Sequence, residues 1–283
     1  MIAITPHNNL LSKIWRTSCL LCFFLLTACQ NHNNYTAFNY GTQNDSARLY
    51  FEIGWSEIMD NGRWTASETA FRKAVILDTT WLLGLSMVGR ITRSLPERQT
   101  ILAKLERRKN LASPYERMLL DVNMMSLKAA NNRKLGVTNT EEFSQKRSEL
   151  ALTNLGKFIE QFPADNYFKA EYIEHLHASF GAEAALDSLR KLARPEQMSL
   201  GFYVSYAANL ELEMGHIEAA KSHLATLQSI MPDTSHTSPL MLQAQIFLAQ
   251  DSLLLAKALI DQVVRIDSNH MIATGMQSRF NTQ

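Results

Sequence analysis

Apolar residues recur every three or four positions from residue 46 onward, the spacing that places them on one face of an α-helix. Within residues 65–78 they form a single stripe: Ala70, Phe71, Ala74, Val75 and Leu77. Short alternating runs bounded by Asn-Gly or Pro-Gly, which are typical of β-hairpins, are not found. The pattern therefore predicts an all-α fold.

Three Ser/Thr-x-x-Glu sequences predict where helices begin. They lie at Thr65–Glu68, Ser94–Glu97 and Ser113–Glu116. In such a capping box the hydroxyl accepts a hydrogen bond from the third amide of the helix, and the glutamate accepts one from the amide of the capping residue. Pro114 occupies the first helical position of the third sequence, where its missing N–H removes no hydrogen bond.

A spacing of small and large residues repeats along the chain. In a 34-residue unit that begins at Gly201, the positions of close helix approach hold Ala208 and Ala220. A unit that begins at Thr237 has the same spacing, and so does the second helix of a unit over residues 48–79. Small residues let two antiparallel helices approach closely, while larger ones fill the layer between neighbouring pairs.

This spacing resembles the tetratricopeptide repeat (TPR) family. The resemblance implies a right-handed α-solenoid of about six antiparallel helix pairs over residues 46–267, with residues 268–283 as a C-terminal cap. The sequence departs from the repeat pattern at three places. Gly181 lies one residue after the position expected for the turn, and Trp55 lies where a small residue is expected. The polar residues 131–139 predict an inserted loop, which is a candidate functional protrusion. At Trp55 we expect the helix pair to slip by one residue.

The N-terminus has the pattern of a secretory signal peptide. Lys13 and Arg16 precede an apolar run of about ten residues, half of the ~20 that span a bilayer. The sequence Leu26-Thr27-Ala28-Cys29 that follows resembles the lipobox of bacterial lipoproteins. The resemblance implies removal of residues 1–28 and acylation of Cys29. The alternative is an ordinary signal peptide in which Cys29 is incidental.

Cleavage before Cys29 leaves that residue as the sole cysteine, so no internal disulfide can form. Residues 29–45 are rich in Asn and lack apolar periodicity, which predicts a flexible tether, and residues 46–283 form the folded body. In the lipoprotein family's sorting rule an Asp at residue 30 implies retention at the inner membrane. Because residue 30 is Gln, the resemblance implies an anchor in the outer membrane, with the body on the periplasmic side.

Composition and charge narrow the function classes. With 28 Lys and Arg against 27 Asp and Glu, the net charge is +1, which argues against a nucleic-acid partner. The 46% apolar content and the small number of Gly and Pro agree with a helical globular body. Residues 90–134 hold eleven basic and four acidic side chains. This segment predicts either a solvated face or a surface that attracts an acidic partner or anionic headgroups.

Sequence motifs of the common enzyme classes are absent, including Gly-x-Ser-x-Gly, a Gly-rich phosphate loop and His-Glu-x-x-His. Ser188 and Lys191 have Ser-x-x-Lys spacing but lack its companion motifs. Glu171 and His175 share one helix face and have the spacing of two metal ligands, and a solvated helix face is the alternative reading of the cluster that they form with Glu174 and His177. We expect no catalytic residue, cofactor or metal.

TPR proteins bind their ligands on the concave face formed by the first helix of each pair. The resemblance assigns to this face Glu174, His177, Phe202, Asn209 and Gln245. Amides such as Asn209 and Gln245 can bond to the backbone of an extended peptide. The function that this implies is an elongated scaffold or adaptor for proteins or extended peptides in envelope assembly. The alternative is an accessory lipoprotein that binds peptide or glycan in the concave groove.

Overall fold

The computed structural model of the protein describes residues 38–280, and over this range twelve α-helices follow one another without a β-strand. The all-α prediction is confirmed. The described residues all belong to one compact unit. In chain order the helices are α1 (Asp45–Met59), α2 (Trp64–Leu77), α3 (Leu82–Ile91), α4 (Leu95–Arg108), α5 (Pro114–Lys134), α6 (Glu141–Gln161), α7 (Tyr167–Leu192), α8 (Gly201–Glu213), α9 (Ile217–Ile230), α10 (Ser238–Ala249), α11 (Leu253–Ile266) and α12 (Met271–Phe280).

Helices that are adjacent in sequence pack against each other, as α1 does on α2, α8 on α9 and α10 on α11. This is consistent with a helical-repeat solenoid, in which each unit contacts mainly its neighbours. Helix α7 breaks at Gly181, whose φ of +85° lies in the left-handed region that glycine adopts at low cost. The late Gly181 therefore divides α7 into two helical segments, as a turn within a helix pair does.

Helices α1 and α2 approach each other closely at Gly54. A Cβ added at Gly54 would lie 2.7 Å from Cδ1 of Phe71, and the Ser67 hydroxyl donates to the Gly54 carbonyl at 2.6 Å. The small residue at this contact is thus one position before Trp55, as a one-residue slip requires. Trp55 is itself buried, and its ring stacks on Tyr167 with 5.7 Å between the centroids.

Two of the predicted capping sequences cap a helix. The Ser113 hydroxyl accepts from the Glu116 amide, and the Glu116 carboxylate accepts from the Ser113 amide, so this capping box is complete. The Ser94 hydroxyl accepts from the Glu97 amide at 3.3 Å. The Glu97 carboxylate does not return the bond, because it accepts two hydrogen bonds from Arg72 on α2. At Ser94 the predicted hydroxyl cap is therefore present, but the reciprocal bond of the capping box is not.

The predicted loop at residues 131–139 is shorter than expected. Helix α5 continues through Lys134 and α6 begins at Glu141, so only residues 135–140 lie outside the helices. The Asn132 amide donates to the Asn139 side-chain oxygen at 2.7 Å and closes this turn. Both helices have 21 residues. The insertion therefore lengthens a pair of helices and forms only a short loop.

The predicted tether is partly folded. Residues 1–37, including Cys29, lie outside the described residues, but residues 38–44 pack on the body. The Phe38 ring contacts Phe158 with 5.2 Å between centroids, and the Tyr40 hydroxyl donates to Asp165 at 2.6 Å. The boundary at residue 45 is therefore too late. Although the segment is rich in Asn, its aromatic residues Phe38 and Tyr40 attach it to α6 and to the turn before α7.

The two ends of the helical array contact each other. The Thr237 amide donates to the Asn61 carbonyl at 2.9 Å. The Thr65 hydroxyl and amide donate to the two carboxylate oxygens of Asp267 at 2.6 and 2.9 Å. The capping box predicted at Thr65 is wrong, because α2 begins at Trp64 and the threonine hydroxyl bonds to a residue at the far end of the chain.

These contacts correct the expectation of an elongated open surface. In an open solenoid the terminal units contact only their neighbours in sequence. Here the α1–α2 turn contacts Thr237, which precedes α10, and the first turn of α2 contacts Asp267, which precedes α12. The first and last helices therefore enclose space between them. No helix within residues 38–280 has the length and the apolar character needed to cross a membrane.

Candidate functional site

A cavity of about 390 Å³ lies between the N-terminal and C-terminal helices. Its volume is within the range of about 300–1,000 Å³ that is usual for small-molecule sites. Helices α1, α2 and α3 provide one part of its wall, and α7, α8, α10 and α12 provide the rest. Most of the lining is apolar or aromatic, and includes Trp55, Ile58, Met59, Trp64, Phe71, Met87, Ile91, Phe202, Met241, Leu242 and Ile272.

A buried ion pair occupies one side of the cavity. Arg90 on α3 pairs with Glu171 on α7, whose side chain is 4% exposed. The Arg90 guanidinium also donates to the Asn123 side-chain oxygen at 3.0 Å, and its central carbon lies 5.6 Å from the centroid of the Trp55 ring. These three contacts hold Arg90 in place and satisfy one oxygen of Glu171.

Three buried polar atoms of cavity-lining residues have no hydrogen-bond partner within the described part of the chain. They are Nε1 of Trp55, Oε2 of Glu171 and Oδ1 of Asn209. Roughly 90% or more of buried polar groups in proteins are hydrogen-bonded, so these three atoms are exceptions. Each is closed off from solvent, so a ligand or a water molecule in the cavity does not reach it in this conformation.

Glu174 is a second carboxylate of the cavity, one helical turn after Glu171. Its side chain is exposed to solvent and lines the cavity. Desolvation by the surrounding protein atoms raises the pKa of Glu174 to about 7, and the negative charge of Glu171 adds to the rise while Arg90 opposes it. The carboxyl therefore changes its protonation state near neutral pH.

Four of the five residues that the TPR resemblance assigned to the concave face line this one cavity: Glu174, Phe202, Asn209 and Gln245. They come from three helices, α7, α8 and α10. The fifth residue, His177, is absent from the lining. Its ring bonds to the Tyr206 hydroxyl at 2.8 Å and to Glu213 at 2.9 Å, so it supports a wall residue from behind.

The structure corrects the reading of Glu171 and its neighbours as a solvated helix face. Glu171 is buried because α3 covers this part of α7 and places Arg90 against it. His175 is half-buried, and burial lowers its pKa. Within residues 38–280, no three His, Cys, Asp or Glu side chains are grouped so that they could hold a metal ion. The Ser188 hydroxyl donates to the Ala184 carbonyl one turn earlier in its own helix.

The basic segment at residues 90–134 does not form one uniform face. Arg98 is buried and donates to the Gly89 carbonyl at 3.2 Å. Lys109 pairs with Asp121 at 2.7 Å, and Lys128 pairs with Glu106 at 2.9 Å. Three of the basic side chains in this segment are therefore bound to other groups of the protein.

Sequence reasoning missed the part of the cavity wall that the chain ends provide. Trp55, Trp64 and Arg90 come from the first three helices, and His270 comes from the turn before α12. The only hint of this in the sequence was Trp55, a large residue at a position where the repeat spacing expects a small one. No comparable signal marks His270, which is brought to the cavity by the contact between the ends.

The sequence matches no protein-family model, and a search among curated proteins finds no match. Helical folds of one architecture serve many functions, so the function is argued from the site itself. The relevant features are the volume of the cavity, its aromatic and apolar walls and the few polar side chains among them.

Proposed function

We propose that this protein is a ligand-binding accessory protein of the cell envelope, which takes an organic group with an apolar body into its central cavity. The observation that carries the proposal is a cavity of about 390 Å³ whose mostly apolar and aromatic lining includes a few polar side chains, among them Glu174, Asn209 and Gln245. Apolar pockets with a few convergent polar groups are the usual form of a small-ligand site.

The cavity favours this function over the open adaptor that was the first expectation. An adaptor for extended peptides needs a groove that runs along several units. In this protein the corresponding residues of α7, α8 and α10 converge on one space of about 390 Å³, which the N-terminal helices cover from the other side. That volume suits one small molecule, or one or two side chains of a peptide.

The proposal keeps the TPR-like architecture and the lipid anchor. We propose a right-handed solenoid of six helix pairs that closes on itself, with Cys29 acylated and the body on the periplasmic side of the outer membrane. Its support is the repeat spacing and the sequence Leu26-Thr27-Ala28-Cys29. Eight residues separate Cys29 from Phe38, so the body lies within about 30 Å of the anchor even at full extension.

Binding of the uncharged fluorescent probe N-phenyl-1-naphthylamine to residues 30–283 tests the proposed function. We expect saturable, one-site enhancement of its fluorescence. Ser205 lines the cavity, and Ser205→Trp places an indole ring inside it, so this variant should weaken binding by at least about tenfold.

Ser222→Trp on the exposed face of α9 is the matched control, because both serines donate their hydroxyls to a carbonyl of their own helix. This control should bind the probe as the parent does. Fluorescence that rises without saturation, or equal affinity in the two tryptophan variants, would show that the cavity is not a binding site. Circular dichroism checks that both variants are folded.

A further inference from the structure

The charged groups of the cavity are unequal in sign. Its lining includes two carboxylates, Glu171 and Glu174, and one basic side chain, Arg90. Arg90 already contacts Glu171, Asn123 and the ring of Trp55. Because Arg90 is paired with Glu171, Glu174 is left without an ion pair of its own among the described residues.

The two carboxylates are neighbours on α7, three positions apart. Arg90 already pairs with Glu171, and the second oxygen of Glu171 is closed off from solvent. The negative charge that faces the cavity is therefore that of Glu174, and a cation beside it lowers the cost of ionising this carboxyl in a mostly apolar site.

Aromatic rings stand around the same space. The ring of Phe202 stacks on that of Tyr206, with 5.0 Å between their centroids. Trp64 on α2 and His270 in the turn before α12 also line the cavity, and the centroids of their two rings lie 5.8 Å apart. The faces of aromatic rings carry partial negative charge and attract cations, most strongly when water is excluded.

We infer that the ligand carries a cationic nitrogen on an apolar stem, with the nitrogen held by Glu174 and the stem packed between the aromatic and aliphatic walls. An ammonium ion offers three N–H donors and no acceptor, which matches a carboxylate that is accessible from the cavity. The inference rests on the proposed function and specifies its ligand. A free amine and the side chain of a lysine present the same chemistry.

The protonation of Glu174 supports this assignment. Its pKa is raised to about 7 by burial, so the carboxyl is largely ionised only above neutral pH. The groups that act on it are Glu171 on its own helix, Arg90 on α3 and Tyr206 on α8, and His270 near α12 lines the same cavity. Burial raises the pKa of Tyr206 and lowers that of His270, so both stay uncharged. An ammonium ion should therefore bind more tightly as the pH rises from 6 to 8.

Calorimetric titration of residues 30–283 with a matched pair of compounds tests the inference. 4-Phenylbutylamine and 4-phenylbutan-1-ol share the same stem and differ in the charged nitrogen. We expect the amine to bind at least about tenfold more tightly at pH 8, the effect of a hydrogen bond to a charged group. This preference should shrink at pH 6.

Glu174→Gln should abolish the preference for the amine, whereas Glu183→Gln, an exposed position on the second half of α7, should leave it intact. The capped tripeptide acetyl-Phe-Lys-Phe-amide and its norleucine analogue form a second pair. Tighter binding of the lysine peptide than of the free amine identifies a peptide as the source of the cation, and the reverse identifies a small amine.

Equal affinity for the amine and the alcohol would overturn the inference, as would a preference that survives Glu174→Gln. If N-phenyl-1-naphthylamine still binds, neither result would contradict the proposed function. Loss of binding of that neutral probe would instead remove the proposed function. Absence of heat with every compound would overturn the inference even if the neutral probe binds.

Discussion

Replacing Arg90 with methionine should lower the free energy of unfolding by about 3–5 kcal/mol, the usual effect of removing one partner of a buried ion pair. The substitution keeps the apolar stem but leaves the carboxylate of Glu171 in the cavity wall without its cation. It also removes the donor to the Asn123 side chain. Urea denaturation followed by circular dichroism measures the change.

Two further variants make this result specific. Arg90→Met combined with Glu171→Gln removes the charge from both sides, so most of the lost stability should return. Lys128→Met breaks the ion pair with Glu106, whose side chains are 41% and 46% exposed, and should change stability by about 1 kcal/mol or less. If Arg90→Met is no more harmful than Lys128→Met, the ion pair does not organise the cavity wall.

Replacing Cys29 with serine should remove the protein from the outer membrane. Serine lacks the thiol that carries the diacyl group in the lipoprotein family, and two or three acyl chains hold a protein durably where one chain is marginal. In a Gram-negative host we expect the variant to lose incorporation of labelled palmitate and to leave the outer-membrane fraction. The folded body should be unaffected, since Cys29 precedes Phe38, the first described residue.

Cys22→Ser is the control for this substitution, because it changes a cysteine of the apolar run and leaves the sequence Leu26-Thr27-Ala28-Cys29 intact. That variant should be acylated and retained. Recovery of Cys29→Ser with the outer membrane, in the same amount as the parent, would mean that the lipobox resemblance is misleading. The protein would then have to reach the membrane by another contact.

The parts of the fold that depend on neighbouring residues could be predicted from sequence. Helical periodicity predicts the helices, and the Ser113–Glu116 capping box forms as expected because both partners lie within one turn. The resemblance to the TPR family assigned Glu174, Phe202, Asn209 and Gln245 to one face, and all four line the cavity. Repeat positions fix which side of a helix a residue occupies.

The closure of the array could not be predicted in this way. Thr65 and Asp267 are 202 residues apart, and no periodicity links them. Their hydrogen bonds depend on the summed rotation of all the helices between them, to which each pair contributes a small amount. The same reasoning explains why Trp64 and His270 were missed as members of one site.

Burial of the segment before α1 was missed for a different reason. The composition of residues 30–45 is dominated by polar residues, and composition alone favours a flexible chain. Phe38 and Tyr40 nevertheless pack against aromatic residues of α6 and the body, and the Trp81 indole donates to the Tyr40 carbonyl at 2.7 Å. A few buried aromatic residues stabilise an otherwise polar segment.

The contact between Trp64 and His270 tests the enclosed cavity most directly, because an open array would separate these residues. Nuclear Overhauser spectra of residues 30–283, with protons retained only on Trp, His and Tyr side chains, report such contacts. We predict a cross-peak between the two rings, whose centroids lie 5.8 Å apart. The His177 and Tyr206 rings, also 5.8 Å apart across α7 and α8, provide the internal control. A control cross-peak without one between Trp64 and His270 would contradict the closed arrangement.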